Sequence, residues 1–206
     1  MSDPGKPRRG RRPLPPEQQR RRLLEAAERS FERSHYEGAG IQSIVREAGM
    51  SSRSFYEFFE SKEDLVAELI RERGEVFLVE MEEVFREADD LWGAIDRVLQ
   101  IYLEMLPMVL LDLERLSGAA SQRVRRLRSA YREKIGEVLV REIGRLAQAG
   151  IVLSPPDPLS IALVLAGIEG LSISYHYEGR REELLALHPQ LLRALRRLFY
   201  EPEILP

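Results

Sequence analysis

The sequence predicts an all-α protein with a helix-turn-helix head and a larger helical body, about nine helices in all, and three observations carry the prediction. Apolar residues recur at helical spacing in segment after segment of the 206-residue chain. Glycine and proline punctuate those segments at their ends, as at Gly49, Pro107, Gly150 and the run Ser154-Pro155-Pro156-Asp157-Pro158. Between residues 41 and 62, two short helical patterns flank a single glycine.

Taken in order, residues 1–16 form a basic arm rich in Pro, Gly and Arg that has no apolar face to bury and is expected to be disordered in isolation. Residues 1–22 carry eight basic side chains against Asp3 and Glu17, a net of +6, whereas the whole chain is −3 and the remainder therefore −9. A total so balanced, with Lys+Arg 31 and Asp+Glu 34, says nothing about nucleic acid, but a basic arm on an acidic body fits added phosphate contacts. The first helix runs from Glu17 to about Ser34, with Leu23, Leu24, Ala27 and Phe31 on one side. Ile41, Ile44, Val45 and Ala48 give the next helix its buried face, and Gly49 closes it in the left-handed conformation with Met50 folding back. Ser51 caps a second short helix, Ser51 to Phe59, that turns Phe55 and Phe59 inward. Its outer face then shows Ser52, Arg53, Ser54, Tyr56 and Glu57, mostly short donors with an arginine and a tyrosine, suited to phosphates and base edges. Ser61-Lys62-Glu63-Asp64 fits a capping box and opens a long helix to about Ala88 that links head to body.

The body continues with a helix from Trp92 to Leu106, a short apolar one from Pro107 to Leu116, and a long one from about Ala120 to Ala149. Trp92, Tyr102, Met105, Met108, Leu113 and Tyr131 supply more large apolar side chains than a spacer needs and are the candidate ligand-binding residues. Leu159 to Tyr177 is the most apolar stretch. Its strongly apolar part falls short of the ~20 residues of a membrane span and contains Glu169, so no span is expected. Ala162, Ala166, Gly170 and Ser174 make a small-residue stripe along it, and Leu191, Leu195 and Leu198 mark the final helix, Pro189 to Tyr200. These seven residues are the candidate dimer interface, with ordinary intrachain core as the alternative.

Ala48-Gly49-Met50-Ser51, then Phe55-Tyr56, then Phe58 through Leu65 (FFESKEDL), together with Leu23, Leu24, Ala26, Ala27, Phe31, Tyr36, Glu37 and Gly38 upstream, resemble the signature of the TetR family of bacterial transcriptional regulators. The likeness spans roughly residues 20–68. It implies that Tyr56 and Lys62 grip phosphates, that Gln42 approaches DNA from the first short helix, and that Ser52, Arg53 and Ser54 face bases. Ser43 and Ser51 complete the candidate DNA-binding set. Four positions depart from the pattern: Ala39 and Gly40 stand where hydroxyl residues often begin the first short helix, His35 replaces the common glycine before Tyr36, and Arg53 replaces a glycine in the recognition helix.

The domain division is then 1–16 arm, 17–68 DNA-binding head and 69–206 effector-binding and dimerisation domain. Zero cysteines exclude disulfides, thiolate zinc sites and thiol catalysis. His35, His176 and His188 lack metal-ligand spacing, and neither a nucleophile elbow nor a phosphate-binding glycine loop is present, so no enzyme, metal or cofactor is expected. The expected partners are double-stranded DNA with a pseudo-palindromic operator, a second copy of the chain, and a small apolar or aromatic effector, with no membrane and a cytoplasmic setting. Two alternatives stay open: a DNA-binding regulator of the same fold without an effector, and a helical ligand-binding or scaffold protein that does not bind DNA.

Overall fold

The computed structural model describes residues 14–105, 119–150 and 155–200. All regular structure in them is helical: α1 (Pro16–Gly38), α2 (Ile41–Ala48), α3 (Ser52–Tyr56), α4 (Lys62–Arg86), α5 (Leu91–Met105), α6 (Ala119–Gln148), α7 (Pro158–Tyr177), α8 (Arg181–Ala186) and α9 (His188–Tyr200). The basic arm up to residue 13 and the short helix expected at 107–116 lie outside the described residues.

Local chemistry explains the boundaries of the head. Gly49 sits at φ 67°, and the Met50 N–H donates to Val45 O at 2.8 Å while the Gly49 N–H donates to Arg46 O, which is the paired C-terminal closure the sequence predicts. Ser51 Oγ accepts from the Ser54 N–H and Ser61 Oγ from the Asp64 N–H, each at 3.1 Å, so both following helices begin on a side-chain cap. Gly40, by contrast, offers α2 no side-chain cap, as expected from its sequence. Two differences appear. The recognition helix stops at Tyr56 rather than Phe59, because Phe58 and Phe59 both donate to Phe55 O and turn the chain so that Phe59 packs against Phe55. The polar stretch between Tyr177 and Pro189, to which the sequence assigns no helix, contains α8, seated by the buried Leu184 after a left-handed Gly179.

Three apolar clusters hold the molecule together. The first joins α1, α2, α3 and the start of α4 around Leu23, Phe31, Ile44, Phe55 and Leu65, and is closed by Val124 and Tyr131 from α6. A second joins the far half of α4 to α5, α6 and α7 through Met81, Phe85 and Leu146. The third packs α5 against α8 and α9 through Leu99, Leu103, Leu184 and Leu195. Each fully buried side chain of this size contributes roughly 1.5–3 kcal/mol by leaving water.

Helix α7 has a longer apolar run than the sequence reading allows, which by itself is weak evidence for a membrane span. By length and composition Pro158–His176, with a mean hydropathy of 1.5, is apolar enough to cross a membrane, since one glutamate in nineteen residues does not lower the average enough. That glutamate ties the helix to its own bundle: Glu169 accepts from Arg128 at 2.5 Å and also from Arg132, both on α6. The opposite side of α7 is open, with Leu159, Leu163 and Leu171 exposed.

Candidate nucleic-acid interface and apolar cavity

The two short helices place a polar surface on one side of the head. Phe55 is fully buried and Phe59 nearly so, and this fixes the rotation of α3. Arg53 is consequently presented to solvent with 92% of its side chain exposed, reaching only Glu57 at 3.7 Å. Tyr56 stands out at 59% exposure, its ring edge-on to Phe55. Gln42 Nε2 donates to Ser52 Oγ at 3.0 Å, so the two helices of the motif are joined at the surface by candidate DNA-binding side chains themselves. Ser51 and Ser54 share a hydroxyl contact of 3.0 Å, and Ser43 Oγ donates back to Gly40 O. Gln42, Ser43, Ser51, Ser52, Arg53, Ser54 and Tyr56 therefore belong to one unit.

Lys62 is placed differently. Its Nζ donates to Tyr36 O at 2.8 Å and Ala39 O at 3.1 Å and lies 3.9 Å from the centre of the Tyr36 ring. Burial holds this ammonium below its ordinary pKa. Tyr36 in turn donates its hydroxyl to Glu63 at 2.7 Å, and that hydrogen bond holds the Glu63 carboxylate below its usual range. In the free protein Lys62 is thus a brace for the α1–α2 junction. The resemblance implies a phosphate partner for Lys62; sequence spacing does not show that two carbonyls converge on the same ammonium. Lys62→Met is expected to lower stability by about 1.5–3 kcal/mol, the contribution of hydrogen bonds to a charged group, read from urea denaturation. An unchanged denaturation midpoint would show that the brace is idle.

The body holds an apolar cavity of about 90 Å³, with Phe77 of α4, Trp92 and Tyr102 of α5, Leu139 of α6, Ile161 of α7 and Phe199 of α9 among its walls. Burial pushes the Tyr102 hydroxyl up, and the nearby Glu169 carboxylate adds to this. Of the residues singled out in the sequence, Trp92 and Tyr102 line the cavity, whereas Met105 packs in the second cluster and Met108 and Leu113 lie outside the described residues. Tyr131 belongs elsewhere: its ring lies on Gly74 and its hydroxyl donates to Arg71 O at 3.1 Å. The aliphatic wall is absent from a candidate set drawn mostly from aromatics and methionines; the inward faces of α5 and α7 carry the same information in their spacing.

The proposed dimer residues divide in the same way. Ala162, Ala166, Gly170 and Ser174 are all exposed, and a side chain added at Gly170 would meet nothing within 4 Å. On α9, Leu198 is 70% exposed, but Leu195 is buried and Leu191 partly buried against α5 and α8, in the third cluster. For those two residues the intrachain alternative describes the structure, since a six-residue α8 leaves α5 to cover that face of α9.

A helix-turn-helix head with an open donor face, set on a helical body, defines the class: an all-helical protein with a DNA-binding domain. Residues 23–69 match the family model of bacterial regulatory proteins, tetR family. Residues 23–69 are thus a DNA-binding domain of the tetR-family type. An uncharacterized HTH-type transcriptional regulator of Bacillus subtilis, YdgC, is 45% identical over 51 residues, which is 25% of this chain and 26% of that protein. The likeness of fold extends much further. The fatty acid degradation regulator FadR of Bacillus halodurans superposes with a TM-score of 0.71 at 16% identity, covering 86% of this chain and 94% of that one. FadR of Bacillus subtilis, solved in complex with stearoyl-CoA, gives 0.67 at 20% identity over 85% and 96%. Reduced NemR of E. coli gives 0.67 at 15% over 91% and 100%. The chain therefore has the fold of a TetR-family transcriptional regulator.

Proposed function

We propose that this protein is a sequence-specific DNA-binding transcriptional regulator, working in the cytoplasm as a homodimeric repressor that leaves a pseudo-palindromic operator when a small apolar or aromatic ligand enters the body. Residues 17–68 are the reading head and 69–206 the effector-binding and dimerisation domain. The observation that carries this reading is the surface of α3, where Arg53, Tyr56 and the serines are turned outward by a fully buried Phe55. Arg53 is the base-reading residue, since a guanidinium is suited to bidentate contact with guanine in the major groove. Tyr56 and Gln42 hold the register on the backbone.

The open side of α7 supplies the dimer seam, its small stripe allowing close approach of a second α7 and Leu159, Leu163 and Leu198 adding apolar area. Two-fold symmetry then presents two heads to half-sites about one turn of DNA apart, ~34 Å, or somewhat more. The cavity is the effector site. An acyl chain, as in the stearoyl-CoA complex of the B. subtilis neighbour, is one ligand class with the required apolarity. At about 90 Å³ the space is smaller than the ~150 Å³ cavity known to hold benzene, so a ligand must part the helices to enter. That movement is what would be transmitted. The same small volume favours a second reading, a regulator of this fold with no small-molecule effector.

Selecting genomic fragments with the purified protein, then challenging the complexes with apolar and aromatic compounds, tests the reading. Selective, salt-sensitive binding is expected, with release by some compounds; a protein that enriches no fragment is not a sequence-specific regulator, and binding that no compound relieves supports the effector-free form. On the selected site Arg53→Ala is expected to weaken binding by about 1–3 kcal/mol and relax preference at one base pair. Equal losses on matched and mismatched sites would make Arg53 a backbone contact.

A further inference from the structure

His35 is the only non-glycine with positive φ among the described residues, at φ 56° and ψ 174°. A side chain in that region clashes with its own backbone, so such a conformation persists only where the surroundings enforce it, and it clusters at places where geometry matters for function. Two contacts account for its persistence here. On one side, the kink in α1 tucks Tyr36 and Ala39 into the head, where Lys62 braces their carbonyls. On the other, the His35 ring stands edge-on to the ring of His176, with centroids 5.8 Å apart. His176 is buried and lies one residue from the end of α7.

We propose that His35 is a positioning residue for DNA binding: with His176 it forms a clasp that fixes the angle between the reading head and α7. The placement gives the clasp its effect. His35 kinks α1 three residues before its end at Gly38, just ahead of α2, the helix carrying Gln42, while α7 is the helix whose open face forms the proposed seam. A change in the angle between them alters the separation of two heads on a duplex. This rests on the regulator reading for its DNA arm and on the geometry alone for its other arm.

The test uses His35→Gly, because glycine adopts φ 56° with ψ 174° without strain and lacks the ring. It is paired with His176→Leu, the double variant, and His176→Phe, which keeps a ring edge. Two quantities are read: affinity for a DNA fragment selected by the wild-type protein, and hydrogen exchange at residues 36–48 without DNA. His35→Gly and His176→Leu are each expected to weaken binding roughly three- to tenfold, the range of an aromatic pair contact, and to speed exchange. The double variant should be no weaker than either single one, and His176→Phe should behave like wild type. Additive losses, or unchanged exchange and affinity in both single variants, overturn the clasp. If the wild-type protein selects no DNA, the regulator reading fails and hydrogen exchange still decides the clasp: unchanged exchange in both single variants overturns it.

Discussion

Phe55→Ala is expected to destabilise the head by about 3–5 kcal/mol and to abolish selective DNA binding while the body stays folded. The side chain is fully buried between Tyr56 and Phe59, with ring centroids 5.3 and 5.6 Å away, and α3 is only five residues long. So short a helix has almost no stability of its own and takes its orientation from the residue it buries. Removing a buried phenylalanine loses both its transfer free energy and the contacts of the space left behind. Hydrogen exchange should show amides of 41–59 opening while those of α5 and α6 stay protected. Retained protection in 41–59, with selective binding intact, would mean that α3 is held by something other than its core residue.

Leu163→Asp is expected to dissociate the proposed dimer. Leu163 is 65% exposed in the single chain, so the substitution alters the folded protomer little, but an aspartate in a self-complementary seam occurs twice, once per protomer. At about 2 kcal/mol for each disrupted central contact, two copies weaken association by roughly 1,000-fold. Sedimentation at micromolar concentration should show monomers, and affinity for a two-half-site fragment should fall towards that of a half-site. A variant that remained dimeric would place the interface on another face.

The head was legible because its signals are local. Ser51, Ser61 and Gly49 act within four residues of themselves, and the structure shows the capping and turn bonds that their chemistry predicts. Phe55 and Phe59 were legible as core for the same reason. Long-range convergence was not: nothing in the spacing of Tyr36, Ala39 and Lys62 shows that an ammonium bridges two carbonyls 23 and 26 residues away. His35 was visible as a departure from the glycine of related sequences, but its partner on α7 is 141 positions distant. In the body, periodicity predicted which residues of α9 are apolar but not which neighbour covers them. Leu195 faces α5 because α8, hidden in a polar stretch, is too short to screen it.

The meeting of α4 and α6 at Gly74 carries a mechanical consequence. A Cβ there would stand 2.5 Å from the Tyr131 ring, so the tyrosine rests directly on helix backbone and no side chain of α4 intervenes. Such a bare crossing would serve as the pivot for any tilt of α4 in the proposed response. Towards the head, α4 extends twelve residues to Lys62, about 18 Å of lever arm at 1.5 Å per residue. Towards the cavity, Phe77 lies only three residues away, about 4.5 Å. Were the proposed effector to tilt α4 about Gly74, these arms would gear the motion roughly fourfold, so that a 0.4 Å displacement of Phe77 would become about 1.6 Å at the start of α4. A methyl group at position 74 would prop the two helices apart and remove the bearing on which that gearing depends.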